Sequence, residues 1–121
     1  MPDSNEAVDL FAGLLVRDLS RSTQWYTHLL GTGPSFHPDD TEAVWSLGEH
    51  RFVYLKTGQG TPGSSLVSIL VPDLDAFLEA AGDRGVRHDD LEDYGGGVRK
   101  AVFHDPDGNE FGVGVVPPDV R

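Results

Sequence analysis

Histidines, carboxylates and tyrosines are the side chains of this chain that could do chemistry, and their spacing narrows what that chemistry is. The five histidines are His28, His37, His50, His88 and His104. None stands in an H-x-x-x-H or H-x-E-x-H arrangement, so no single helix or strand offers a ready pair of imidazole ligands. There is no cysteine, which removes thiolate nucleophiles, disulfides and thiolate metal sites. Nucleophile elbows, phosphate loops and dinucleotide fingerprints are missing as well. Gly95-Gly96-Gly97 precedes a strand-like run, not a helix, so it reads as a hairpin connection and not as an anion cradle. What remains is acid-base work by isolated groups, with Tyr54, Glu110 and His104 as candidates. Tyr54 would need a pKa well below its usual value of about 10 to act as a base near neutrality.

The elements that would position these groups can be read from the pattern. Leu14-Leu15-Val16-Arg17-Asp18-Leu19 matches Ile69-Leu70-Val71-Pro72-Asp73-Leu74, a weak internal repeat. In each copy an apolar strand runs into an Asp able to cap a helix. The spacing predicts a first helix over Leu19 to Leu30, with Ser22, Trp25, Tyr26, Leu29 and Leu30 on one side and Gly31 as the stop. A second helix is expected over Leu74 to Ala81. Short strands are expected over Pro34–His37, Ala43–Leu47 and Arg51–Lys56 after the first helix. After the second they are expected over Arg87–Asp89, Val98–His104 and Asn109–Val115. Residues 1–8 read as a loose tail, 9–57 as the first module, 58–65 as a Gly/Ser-rich linker and 66–116 as the second module. The expected fold class is α+β: two βαβββ modules in one chain, with curved mixed sheets around a cleft and helices on the outer faces.

The turn Asp105-Pro106-Asp107-Gly108-Asn109 is built for a tight hairpin, with Pro presetting φ and Gly taking the left-handed position. That turn between Phe103 and Phe111, together with Val16-Arg17-Asp18-Leu19, Ser22, Trp25-Tyr26 and Leu29-Leu30-Gly31, resembles the vicinal oxygen chelate (glyoxalase/bleomycin-resistance/dioxygenase) superfamily over about residues 9–116. The resemblance implies four equivalent positions where metal-using members carry His or Glu, sometimes Gln or Tyr. Here they fall at Phe11, Tyr54, Leu66 and Gly112. Three of these cannot coordinate and a lone neutral phenol is a poor anchor, so no metal and no other cofactor is expected. The closest character is that of metal-free bleomycin-resistance-type members, which sequester a ligand in clefts at a dimer interface.

Strand alternation sorts the faces. Leu10, Ala12, Leu14 and Val16 are expected in the core, with Val53, Leu55, Val67, Ile69, Val71, Phe111, Val113 and Val115. The cleft is expected to be lined by Phe11, Gly13, Leu15, Phe52, Tyr54, Leu66, Ser68, Leu70, Glu110, Gly112 and Gly114. The three glycines are expected to leave room for a ligand. The orientation of Phe36, Trp45 and Phe103 stays open.

Net charge is −11, from 20 acidic and 9 basic residues. That excludes a nucleic-acid partner, which needs clustered Lys and Arg, and would steer a cationic ligand favourably. Two acidic loops, Asp39, Asp40 and Glu42, and Asp89, Asp90, Glu92 and Asp93, are expected near the cleft rim. No run approaches the ~20 apolar residues of a membrane span, and the acidic N-terminus is unlike a signal peptide, so a cytoplasmic protein is expected. The reading is a metal-independent protein that binds a bulky or aromatic small molecule, with cationic ones favoured by the charge, as a homodimer. A superfamily enzyme with a displaced or absent metal site, and a protein-interaction accessory domain, stay open as alternatives.

Overall fold

The computed structural model describes residues 8–119; apart from Val8, the expected N-terminal tail lies outside them. The element order is β1 (Leu10–Leu15), α1 (Leu19–Leu30), β2 (Glu42–Gly48), β3 (Arg51–Lys56), β4 (Leu66–Leu70), α2 (Leu74–Asp83), β5 (Asp90–Gly95), β6 (Val98–His104) and β7 (Glu110–Val115). Both helices start as their sequences dictate. The Asp18 carboxylate accepts the Arg21 N–H at 3.1 Å and the Asp73 carboxylate accepts the Ala76 N–H at 3.0 Å, each satisfying one orphan donor of a first turn. Gly31 ends α1 at φ 81°, its N–H reaching the Thr27 carbonyl.

Two sheets form, with strand orders β1-β3-β2 and β4-β7-β6-β5. In each, the first strand pairs in parallel with the last of its module, and the rest is antiparallel. Three expectations about strands need correction. Pro34–His37 forms only an isolated bridge, Phe36 to Val44; Pro34 and Pro38 bracket it, and proline cannot donate to a ladder. Arg87–Asp89 is not a strand. The strand is Asp90–Gly95, so the second acidic stretch is a sheet edge and not a loop. Charge along an outer strand is a usual way to protect an open edge. Glu42 likewise belongs to β2 and not to a loop. α2 runs two residues past its expected end, to Asp83.

One core serves both modules, and α1 sits at its middle. Tyr26, fully buried, lies against Trp45 of the first sheet at a ring-centroid separation of 6.1 Å and against Phe111 of the second at 5.6 Å. Trp45 and Phe103, whose orientation the sequence left open, both point into this core, and the Trp45 indole N–H donates to the Thr32 carbonyl at 2.8 Å. Each such buried aromatic or aliphatic side chain stabilises the fold by about 1.5–3 kcal/mol. Leu10, expected in the core, is 69% exposed: it is the first residue of β1, and burial on that face is reached only further along, at Leu14 and Val16.

The Asp105–Asn109 turn is the joint between the modules. The buried Asp105 carboxylate accepts from the Tyr26 hydroxyl, the Asn109 side-chain amide and the backbone N–H groups of Asp107 and Asn109, all at 2.9 Å. Asn109 in turn donates to the Leu15 carbonyl at 2.7 Å and accepts from the N–H groups of Gly63 and Ser65. One turn of the second module thereby holds the first helix, the first strand and the linker. Burial and the adjacent Asp105 charge push the Tyr26 hydroxyl pKa far above its ordinary value. No helix among the described residues is long and apolar enough to cross a membrane.

Candidate functional site

The two sheets share one register. Phe11 pairs with Phe52 and Gly13 with Tyr54 in the first parallel ladder; Leu66 pairs with Glu110 and Ser68 with Gly112 in the second. Phe11 is therefore the counterpart of Leu66, and Tyr54 of Gly112. The four positions singled out by the resemblance are structurally equivalent in pairs, and they present a phenyl ring, a phenol, an isobutyl group and a bare backbone. A divalent ion needs several oxygen or nitrogen donors, so these residues do not fit one. Among the described residues no cluster of three His, Asp or Glu side chains is placed to hold a metal elsewhere.

The first module's open face is aromatic. Phe11 and Phe52 stack with centroids 4.4 Å apart and planes 10° from parallel, and Tyr54 meets Phe11 edge-on at 6.1 Å. Phe11 remains 47% exposed. Beside it, Phe11, Pro38, Glu42, Val44 and Tyr54 enclose a cleft of about 250 Å³. Glu42 and Lys56 form an ion pair at 3.4 Å, and Lys56 also donates to the Thr41 hydroxyl. At the rim, Asp39 accepts from the Thr41 N–H and hydroxyl, and those hydrogen bonds hold its carboxyl below the usual range.

The second module's open face is polar. Lys100 lies between Glu110 at 3.6 Å and Glu92 at 3.9 Å. The Tyr94 hydroxyl donates to Glu92, which raises the Tyr94 pKa. His104 pairs with Asp89 at 3.0 Å. Leu66, 67% exposed, and Leu70, 50% exposed, give this face an apolar edge.

The glycines do not act as expected. A Cβ on Gly13 would lie 2.8 Å from the Tyr54 ring, so the missing side chain is what lets that ring lie flat on β1. A Cβ on Gly112 would meet the Ser68 hydroxyl at 2.6 Å and the Lys100 stem at 3.2 Å, and one on Gly114 would meet Leu70 at 3.2 Å. The space is filled by neighbouring side chains of the same sheet and is not left open for a ligand. Leu15 also departs from expectation: it packs over the linker at Gly60, and its N–H donates to the Ser65 hydroxyl.

A larger groove, about 610 Å³, lies between the modules where β1 and β4 run past each other. It gathers Phe52, Ser68 and Leu70 from the expected set. It also takes Leu10, Ala12, Leu47 and Arg51, which the sequence reading assigned to the core or did not assign. Of the other expected residues, Phe11 and Tyr54 line the smaller cleft, while Gly13, Leu15, Leu66, Glu110, Gly112 and Gly114 line neither. Sequence reasoning missed Lys100 and Tyr94, and it expected Glu92 at the cleft rim but on a loop and not on a strand. The signal was present in the alternation of β6, but it needed the pairing of Glu92 with Lys100, and Asp90–Asp93 had been read as loop.

A βαββ module, in which an isolated bridge stands where the expected extra strand would be, and a βαβββ module joined through a shared core, with open faces in place of a closed barrel, define the class of protein. Residues 8–113 match the model of the Glyoxalase/Bleomycin resistance protein/Dioxygenase superfamily, and the chain belongs to that family. A glyoxalase/bleomycin resistance protein from Catenulispora acidiphila is 43% identical, with a TM-score of 0.87 over 92% of this chain and 100% of that one. A lactoylglutathione lyase from Agrobacterium tumefaciens shares the fold at 15% identity, TM-score 0.74, over 90% and 93% of the two chains. A bleomycin-binding protein in complex with bleomycin shares it at 20% identity, TM-score 0.70, over 89% and 98%. No curated protein sequence gives a significant match.

Proposed function

We propose that this chain is a metal-independent small-molecule-binding protein that takes a bulky, aromatic ligand in a cleft completed by a second copy of itself. The observation that carries the reading is the chemistry of the four equivalent positions, Phe11, Tyr54, Leu66 and Gly112. They offer stacking and apolar contact in place of donors for an ion. Pockets that bind organic molecules are mostly apolar with a few placed polar groups, and the Phe11–Phe52 stack with Tyr54 is such a wall. The homodimer reading is supported by what one copy leaves uncovered. β1 and β4 each have one unpaired edge, and Leu10, Phe11, Leu66 and Leu70 stand exposed along them. Open apolar edges of this kind mark association surfaces. Sequestration of an antibiotic-like or aromatic metabolite is the role this supports, and binding of bleomycin by a protein of the same fold is in keeping with it. A cytoplasmic location belongs to the same reading and rests on the cysteine-free, acidic composition.

Light scattering on the eluting protein and thermal shift against an aromatic library test the proposal together. The expected results are a dimer and stabilisation by at least one aromatic compound. A monomer that no compound stabilises would contradict it.

A further inference from the structure

The second module's open face carries a cation whose hydrogen-bonding capacity is not used up. Equivalent ladder positions show why. In the first module Glu42 stands opposite Lys56 and pairs with it. In the second, Lys100 takes the place of Glu42, but the residue opposite is Gly114, which has no side chain. Lys100 therefore lays its stem over Gly112 and brings its ammonium between Glu110 and Glu92, at 3.6 and 3.9 Å. Both separations are too long for direct N–H···O hydrogen bonds. The ammonium keeps donors to offer, and the carboxylates keep acceptor sites. Ser68 crowds the same point above Gly112 with its hydroxyl.

Resting on the ligand-binding reading above, we propose that Glu92, Lys100 and Glu110, which line neither groove of the single chain but stand on the face equivalent to the Phe52–Tyr54 wall, form the polar wall of the cleft that a second copy completes. They would recognise a neutral planar group that presents an acceptor oxygen beside N–H donors, a carboxamide or a ureido group. A carboxamide oxygen accepts from Lys100 while its adjacent N–H donates to one of the two carboxylates. A ligand ammonium placed there meets the Lys100 charge. A ligand carboxylate meets two carboxylates for one ammonium, in a chain of net charge −11. A neutral group avoids both repulsions and still gains hydrogen bonds to charged partners, which are the stronger kind. This shifts the expected ligand from a cation to a neutral amide-bearing aromatic.

The test uses four probes with one ring system: naphthalene, naphthalene-2-carboxamide, naphthalene-2-carboxylate and 2-naphthylmethylammonium. Each is titrated into the full chain and followed by amide NMR shifts. The expected result is that the carboxamide binds at least tenfold tighter than either charged probe. In Lys100→Met the preference for the carboxamide over naphthalene should shrink to within about threefold. Tightest binding by the ammonium or the carboxylate overturns the assignment. So does a carboxamide affinity that Lys100→Met leaves intact while naphthalene still binds; in both cases the aromatic cleft survives. If neither naphthalene nor the carboxamide binds, the cleft reading falls with it.

Discussion

The two modules share a ladder and differ in what they place on it. In the first, Gly13 lies under the Tyr54 ring; in the second, the pair is reversed, with Gly112 under the Ser68 side chain. In the first, Glu42 and Lys56 neutralise each other across the strands; in the second, Gly114 leaves Lys100 to lean on two carboxylates. A backbone frame used twice thus yields one aromatic face and one polar face. The lesson is that equivalent positions in a repeated module keep their geometry while their chemistry diverges, and a cleft drawing on both faces can read a ligand with two unlike ends.

The largest asymmetry lies in the hairpin turns, and removing it should cost most. Asp105→Ala strips acceptors from four donors, three of them on the turn itself and one the buried Tyr26 hydroxyl. Leaving buried donors unpaired costs about 1–3 kcal/mol each, so urea unfolding should show a loss of about 3 kcal/mol or more. Glu49→Ala, in the corresponding turn of the first module, should change stability by less than about 0.5 kcal/mol, as surface substitutions do. Equal losses would mean that the second turn is no special joint.

Next come the reversed glycines. Gly13→Ala drives a Cβ into the Tyr54 ring, which is held edge-on against Phe11, and should cost about 1–3 kcal/mol. Gly112→Ala meets the Ser68 hydroxyl, which can turn away about one bond, and the movable Lys100 stem, and should cost less than about 1 kcal/mol. The reverse order would break the comparison.

The joint also has a pH signature. Tyr26 is raised in the folded state, whereas an unfolded tyrosine ionises near pH 10. Below that pH both states hold the proton and the full stability is present. As pH rises past about 10 the unfolded chain loses its proton first, and this group's share of stability falls by about 1.4 kcal/mol per pH unit until the folded group also ionises. Tyr26→Phe should flatten that slope in alkaline denaturation curves while costing about 1 kcal/mol at neutral pH. A slope unchanged in the variant would place Tyr26 outside the buried network.

The smallest expected effects are in the ion pairs. Lys56→Met and Lys100→Met should each change stability by about 0.2–1 kcal/mol. A large loss in Lys100→Met would make that lysine a structural strut.

Much of this architecture was legible in the chain. The 12-residue first helix, both Asp caps and the joint-forming turn followed from capping and turn chemistry that is local in sequence. The family followed from the same residues. The edge strand Asp90–Gly95 was not legible, because its pairing with β6 overrides the loop preference of its acidic residues. Among the candidate site residues, Phe11, Phe52 and Tyr54 come together on one face, which alternation along a strand sets. The glycines were misread because what fills the space above a glycine is set by the rotamer of a cross-strand neighbour. Lys100 was missed for the same reason: its importance lies in the absence of a partner at Gly114, a fact of register and not of spacing.

The central claim is that the cleft binds aromatic molecules without a divalent ion, because Phe11, Tyr54, Leu66 and Gly112 supply no donor set. The most direct test is calorimetric titration of chelator-treated protein with naphthalene-2-carboxamide, repeated after adding manganese, nickel or zinc in turn. The account predicts binding in the metal-free protein with an affinity that none of the metals alters by more than about twofold. Binding that appears only when one of the metals is restored would contradict it.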